Sequence, residues 1–133
     1  MSTELTPEQA ARAYATALNT LDTAPLEPLL ADEFHYASQW VFDEITSKAD
    51  YLHYLRGKFN TIRHADLPVF GELGRVYAYG MERPCVVVAQ DTKADLVALA
   101  LFEVADGRIT RIDLCAVPPP HAARRSGEYP GHA

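Results

Sequence analysis

The chain has 133 residues, enough to bury one hydrophobic core without disulfide bonds, and its formal net charge is −6. Apolar residues make up 48% of it and charged residues 23%, which is typical of a globular domain. An acidic chain without a basic stripe argues against binding to nucleic acid or to an anionic membrane. The first residues lack a signal-peptide pattern, and no apolar run approaches the roughly 20 residues that span a bilayer. These features predict a single cytoplasmic domain.

Three helices are predicted in the first half of the chain. The first begins at a Thr-Pro-Glu-Gln capping box, residues 6–9, and its apolar residues recur at helical spacing as far as Leu21. A short amphipathic helix is predicted from about residue 24 to 31, and a third helix from about 47 to 62. Between these two, aromatic and small residues at 34–41 predict a strand.

From residue 67 onward the hydrophobic period changes from 3.6 to 2, which predicts a long antiparallel meander. Its strand candidates are residues 67–70, 75–79, 84–90, 96–104 and 108–117. Helices followed by a meander of strands indicate the α+β class, with the helices packed over one sheet.

The last two strands are joined by the strongest turn signal in the chain. An Asp-Gly pair at residues 106–107 tolerates the positive φ angles of a type I′ hairpin. Counting outward from this turn pairs Leu101 with Ile112 and Leu99 with Leu114. These four side chains are therefore predicted to share one strongly apolar face of the sheet.

We divide the chain into a domain of residues 1–117 and a tail of residues 118–133. The tail is rich in proline, glycine and small polar residues, a composition that is normally found in loose terminal segments. The alternative is that a contact pins it, such as one with a second subunit.

Three segments of this chain resemble motifs of the NTF2-like superfamily, which includes ketosteroid isomerase, scytalone dehydratase and the SnoaL-type polyketide cyclases. Tyr14–Asn19 followed by Asp22 is similar to the family's Y-x-x-A-L-N-x-x-D segment. Leu30–Phe34 is similar to L-F-A-D-D, and Asp106–Ile109 to D-G-K-I. The resemblance implies an NTF2-like cone, in which three N-terminal helices pack over a curved antiparallel sheet and enclose a hollow. It also implies a homodimer through the sheet.

The resemblance to ketosteroid isomerase can be carried over residue by residue. Tyr14 stands where that enzyme has the tyrosine that hydrogen-bonds the oxyanion. The position of its general base falls on Ser38, and that of its second oxyanion donor falls near Ala100. A serine with no adjacent base cannot abstract a carbon-bound proton at neutral pH, so this isomerase chemistry is not expected. The cyclase and dehydratase branches offer no matching Asp-His pair.

A ligand pocket is predicted on the inner side of the cone. If Ser38 faces inward, the period of two brings Phe34, Tyr36 and Trp40 to the same side as an aromatic wall. The predicted lining is Tyr14, Tyr36, Ser38, Trp40, Tyr54 and Phe59. The alternative is that Tyr14 and the aromatic wall belong to an ordinary filled core.

Asp113, His35 and Tyr14 are the candidates for catalysis. Asp113 and Arg111 lie on the less apolar face of the last hairpin, which either lines the cavity or forms the outer face of the sheet. Strand alternation from Ser38 places His35 outside the cavity. If either base did face the cavity, Tyr14 would serve as the electrophile.

No motif for a cofactor or a metal is recognised. The chain contains no Gly-rich phosphate loop, no H-E-x-x-H and no C-x-x-C. Asp50 and His53 are an isolated pair without the three or more ligands that a metal needs. Cys85 and Cys115 are interpreted as buried thiols.

Three functional hypotheses follow, of which the first is favoured. In the first hypothesis, the protein binds a small apolar or aromatic ligand in the cone. In the second, it is a cofactor-independent lyase, isomerase or cyclase. In the third, it is a protein-interaction module whose cone is filled by its own side chains.

Overall fold

The computed structural model describes residues 4–132, apart from the side chains of residues 41 and 42. Two helices are described, α1 (Pro7–Thr20) and α2 (Lys48–Ala65). The strands are β1 (Leu30–Ser38), β2 (Val41–Ile45), β3 (Val69–Ala78), β4 (Met81–Gln90), β5 (Leu96–Ala105), β6 (Arg108–Cys115) and β7 (Arg124–Arg125). Within the described residues they form one sheet of seven strands in the order β2-β1-β6-β5-β4-β3-β7.

The expected third helix is absent from the described part of the chain. Residues 24–31 contain only a short 3₁₀ turn, Glu27–Leu29, and Leu30 already belongs to β1. Pro28 explains the difference, because a proline inside so short a helix removes a backbone donor and clashes with the preceding turn. The fold therefore places two helices over the sheet rather than three.

The sheet is mixed, whereas an antiparallel one was expected. β1 runs parallel to β6, with Tyr36 opposite Ile112, and the other described pairs are antiparallel. The parallel pair joins segments more than seventy residues apart in the chain, and its direction follows from the path of the chain over the sheet. Local alternation of apolar residues carries no information about that direction.

The register of the last hairpin also differs from the prediction. Val104 pairs with Ile109 but Glu103 pairs with Arg111, so Thr110 is an extra residue in β6. A one-residue bulge moves every later side chain of the strand to the other face. The predicted apolar set is therefore divided, and the inner face that packs against the helices carries Ile112 and Leu114. Leu99 and Leu101 belong to a second cluster on the outer face.

α1 lies unusually close to β3. The helix begins at the predicted capping box, and three of its alanines, Ala10, Ala15 and Ala17, are almost completely buried. A Cβ atom built at Gly71 of β3 would lie 3.2 Å from the Cα atom of Ala15. Small residues on both elements thus permit the close packing of helix on sheet.

The tail packs against its own chain. β7 extends the sheet beside β3, the 3₁₀ turn Pro120–Ala122 contacts β5, and Ala123 joins the outer apolar cluster. Glu72 is 3% exposed beneath it and accepts hydrogen bonds from Arg125 Nε at 2.6 Å and from the Gly127 amide at 2.7 Å. The pinning contact is therefore intramolecular. Neither described helix has the length and hydropathy needed to cross a membrane.

Candidate functional site

A cavity of about 150 Å³ lies between the two helices and the inner face of the sheet. Four tyrosines line it: Tyr14 from α1, Tyr36 from β1, and Tyr51 and Tyr54 from α2. Aliphatic side chains, among them Leu18, Val88 and Leu114, complete most of the wall. We call this space the tyrosine cavity.

Three of the four tyrosine rings, those of Tyr36, Tyr51 and Tyr54, form a connected cluster. The centroid of Tyr36 lies 5.0 Å from that of Tyr51 and 5.5 Å from that of Tyr54, both in tilted orientations. Phe34 supports Tyr51 from β1 at 4.7 Å, and Tyr14 packs edge-on against Phe102 at 5.5 Å. Ring pairs at these separations attract one another, so these contacts stabilise the wall of the cavity.

The Tyr51 hydroxyl is buried and has no hydrogen-bond partner among the described residues. The residue itself is 0% exposed. A buried hydroxyl without a partner costs free energy, which a ligand supplying the missing hydrogen bond would recover. Tyr51 is the feature of the cavity that most directly indicates an absent polar partner.

Tyr14, Tyr36 and Tyr51 stay protonated. Burial is the main cause that raises the pKa of Tyr14, Tyr36 and Tyr51 well above the usual value, and neighbouring tyrosines raise it further. Neutral phenols donate hydrogen bonds but do not abstract protons. The described lining residues also include no carboxylate and no imidazole. The chemistry that this wall offers is hydrogen bonding and aromatic contact.

Lys58, Gln90 and Val97 complete the more exposed part of the lining. The Nζ atom of Lys58 lies 5.9 Å from the centroid of the Tyr54 ring. Val97 is 38% exposed, so the lining continues to the protein surface here. We call these three residues the mouth of the tyrosine cavity.

The structure brings together three of the six residues predicted to line a pocket, Tyr14, Tyr36 and Tyr54. Phe59 is buried in the core between helices and sheet without lining the cavity. Ser38 ends β1, where its hydroxyl oxygen accepts a hydrogen bond from the Trp40 amide, and Trp40 is 55% exposed. A turn at residues 39–40 ends the alternation, so the predicted aromatic wall does not extend beyond β1.

Neither candidate base lies in the cavity. Asp113 is on the outer face, where Arg111 Nε donates to both of its carboxylate oxygens at 3.0 and 3.1 Å. His35 is partly exposed, and its Nδ1 atom lies 3.7 Å from a carboxylate oxygen of Glu44. Arg111 also contacts Glu44. These residues form a surface charge network on the other side of the sheet from the tyrosine cavity.

Tyr51 and Lys58 were missed as site residues by sequence reasoning. Tyr51 is buried on α2 together with Leu55 and Phe59, at the spacing of an ordinary apolar helix face. Its position three residues before Tyr54, on a helix predicted to cover the aromatic strand β1, was the signal that could have found it.

A larger and more open groove, about 540 Å³, lies between the first turns of α1, β3 and the tail. Its charged side chains pair with one another or with neighbours. Arg12 Nη1 contacts Glu128 at 2.6 Å, and Arg75 Nη1 contacts Glu8 at 3.0 Å. These charged side chains therefore already have partners of opposite charge, and such exposed ion pairs contribute little free energy. Among its described lining residues this groove contains no buried hydroxyl without a partner, so size alone does not make it the stronger candidate.

Solved structures with low sequence identity share this fold. An NTF2-like protein of unknown function from Cytophaga hutchinsonii matches with a TM-score of 0.58 and 15% identity, over 89% of this chain and 97% of that chain. A Pseudomonas putida protein provisionally named a polyketide cyclase matches with a TM-score of 0.60 and 14% identity, over 84% and 91%. An LEH-like epoxide hydrolase from M. tuberculosis matches with a TM-score of 0.52 and 20% identity, over 84% of each chain. No protein-family model and no curated protein matches the sequence.

These neighbours confirm the fold expected from the motifs in α1, β1 and the last hairpin. Their names range from cyclase to epoxide hydrolase, so the shared architecture carries no single activity. The chain has the NTF2-like fold.

Proposed function

We propose that the protein binds a small, single-ring ligand in the tyrosine cavity. The observation that carries the proposal is a cavity of about 150 Å³ that the protein's own side chains leave open, with Tyr51 among its lining residues. The Tyr51 hydroxyl is buried and has no hydrogen-bond partner among the described residues. A ligand with an oxygen or nitrogen acceptor would satisfy it, while the ring would contact Tyr36 and the aliphatic wall.

The size of the cavity limits the ligand. Its volume is about 150 Å³, whereas pockets for drug-sized molecules hold roughly 300 to 1,000 Å³. An apolar cavity of about 150 Å³ engineered in another protein accepts benzene. A substituted benzene ring therefore fits the tyrosine cavity, and a four-ring steroid or polyketide does not.

Tyr14 is assigned a binding role in this proposal. Its hydroxyl is kept neutral by burial, which suits it to donate to a ligand acceptor. The proposal does not include catalysis by Asp113 or His35. Asp113 is paired with Arg111 on the outer face of the sheet, and His35 lies beside Glu44. Binding without turnover is the function that the cavity wall supports best.

We also propose, from the family resemblance, that the protein forms a homodimer through its sheet. Pro120 and Ala123 already cover part of the outer apolar cluster. The dimer contact would therefore use exposed side chains beside this region, with Tyr79 and Met81 near the β3–β4 turn as candidates. Light scattering after size-exclusion chromatography tests it, since a monomeric mass at micromolar concentration contradicts the dimer.

A thermal-shift titration tests ligand binding. The probes are 4-methylphenol, which matches the cavity in size, and oestradiol, which exceeds it. A ligand that binds only the folded state raises the unfolding midpoint as its concentration rises. We expect a saturable rise with 4-methylphenol and none with oestradiol.

Two matched variants locate the site. Val97→Trp places a large ring at the mouth of the cavity and should abolish the shift. Val117→Trp makes the same change at a valine that is 73% exposed and does not line the cavity, and it should leave the shift unchanged. A shift that survives in Val97→Trp, or no shift with any single-ring phenol, contradicts the proposal.

A further inference from the structure

We infer that the ligand of the tyrosine cavity is an anion, a single-ring aromatic carboxylate whose acid group pairs with Lys58 at the mouth. This inference rests on the proposed function and specifies the chemical class of the ligand. It is carried by the position and the surroundings of Lys58.

Lys58 belongs to the stripe of α2 that faces the cavity. Its helical neighbours one turn away on either side are Tyr54, Leu55 and Ile62, at spacings of four and three residues, and all three line the cavity. Lys58 lines it as well. Its ammonium nitrogen lies 5.9 Å from the centroid of the Tyr54 ring, at the outer limit of a cation–π contact.

No carboxylate neutralises Lys58 within the described residues. The fourth neighbour at helical spacing is Thr61, so α2 supplies no acid one turn away. The described lining of the cavity contains no Asp or Glu either. Arg56, two residues earlier on α2, does have such a partner, since it contacts Glu27 at 2.8 Å.

The cavity therefore offers phenol hydroxyls at one end and an ammonium group at the other. An aromatic ring fits between the tyrosines, a ring substituent reaches the protonated phenols, and a carboxylate at the other end meets the lysine. A carboxylate accepts hydrogen bonds from an ammonium and balances its charge, whereas a neutral ester or amide accepts a weaker hydrogen bond and leaves the charge unbalanced. A para-substituted benzoate combines these features in one ring.

Isothermal titration calorimetry with three probes tests the class: 4-hydroxybenzoate, its methyl ester and 4-hydroxybenzamide. We expect the acid to bind roughly twofold to fivefold more tightly than either neutral probe, the range typical of a partly exposed ion pair. Lys58→Met keeps the aliphatic stem and removes the charge. It should remove this preference and weaken binding of the acid much more than binding of the ester.

Lys48→Met is the control, because it removes the same charge from the same helix at a residue that does not line the cavity. It should preserve the preference for the acid. If the ester binds to the wild type as tightly as the acid, or if Lys58→Met and Lys48→Met weaken the acid equally, the anionic class is overturned while binding in the cavity stands. If none of the three probes binds, the proposed function itself is contradicted.

Discussion

Asn19 pairs with the backbone of Gly71 as a neighbouring strand would. Its Oδ1 atom accepts a hydrogen bond from the Gly71 amide at 2.6 Å, and its Nδ2 atom donates to the Gly71 carbonyl at 2.8 Å. Nδ2 also donates to the carbonyl of Pro130 in the tail at 2.7 Å. One amide side chain thus joins α1, the edge of β3 and the tail, which gives a physical reason for an asparagine in the Tyr14–Asn19 segment.

Asn19→Ala should lower the free energy of unfolding by about 2 to 3 kcal/mol, because it leaves the buried amide and carbonyl of Gly71 without partners. Urea denaturation followed by circular dichroism measures this. Asn60→Ala is the control, since it makes the same change at an exposed position of α2, and it should cost well under 1 kcal/mol. Equal losses in the two variants would contradict the bridging role of Asn19.

The edge of β3 is covered by the tail beyond Gly71. Leu73 donates its amide to the Glu128 carbonyl and accepts from the Ser126 amide, while β7 pairs with the residues that follow. An uncovered strand edge is a site for pairing with other chains. The tail therefore protects the sheet edge, and Glu72 with Arg125 fixes its position.

Arg125→Ala should destabilise the protein by about 2 kcal/mol, because the buried Glu72 carboxylate loses its charge-assisted hydrogen bond. The adjacent Arg124→Ala is a matched control: Arg124 is largely exposed, and its contact with Glu82 is 3.5 Å long. That variant should change stability by no more than about 0.5 kcal/mol. Thermal or urea unfolding of both proteins decides the point, and a loss in Arg124→Ala as large as that in Arg125→Ala would refute the anchoring role of Arg125.

Local signals predicted the parts of the fold that depend on neighbouring residues. The capping box of residues 6–9 and the turn at 106–107 occur as expected, because a few adjacent side chains and φ preferences determine them. Gly71 and Gly74 interrupted the apolar pattern, so β3 was predicted as two pieces. In the structure both glycines lie inside one strand, where a Cβ atom on Gly74 would approach the Arg124 carbonyl to 2.9 Å.

The site was harder to predict, because its composition depends on register. The extra residue at Thr110 reverses the faces of β6, and it places Leu114 in the cavity wall and Asp113 outside. A single-residue bulge leaves the hydrophobic pattern nearly unchanged, so alternation does not reveal it. Tyr14 was identified because a motif marked it, whereas Tyr51 lay within an ordinary helical stripe.

Stability should fall as the pH rises above about 9. Burial raises the pKa of the Cys85 thiol to about 12 and that of the Cys115 thiol to about 11, against 9.0 for an ordinary thiol. Between the unfolded and folded pKa values the unfolded chain has lost a proton that the folded chain keeps. Unfolding is therefore favoured, by up to about 1.4 kcal/mol per pH unit for each thiol. The contribution is fully present below pH 9 and is lost between pH 9 and about 12.

Urea unfolding at pH 8, 9.5 and 10.5 measures this decline. The double variant Cys85→Ala, Cys115→Ala lacks both thiols and should lose less stability over the same interval than the wild type. The buried tyrosines remain in both proteins and contribute equally. If the free energy of unfolding falls equally with pH in the wild type and in the double variant, the two thiols are not buried as the structure has them.

Tyr51→Phe separates the effect of the Tyr51 hydroxyl on the stability of the free protein from its effect on ligand affinity. Without a ligand, the variant should be as stable as the wild type or more stable by about 1 kcal/mol, because it removes a buried donor that has no partner. Its affinity for 4-methylphenol should fall roughly fivefold, the equivalent of about 1 kcal/mol, because the ligand loses that donor. Tyr77→Phe, at a tyrosine that is 71% exposed, should alter neither quantity. A Tyr51→Phe protein that is strongly destabilised, or that binds the phenol as well as the wild type does, would show that this hydroxyl is a structural group rather than a ligand contact.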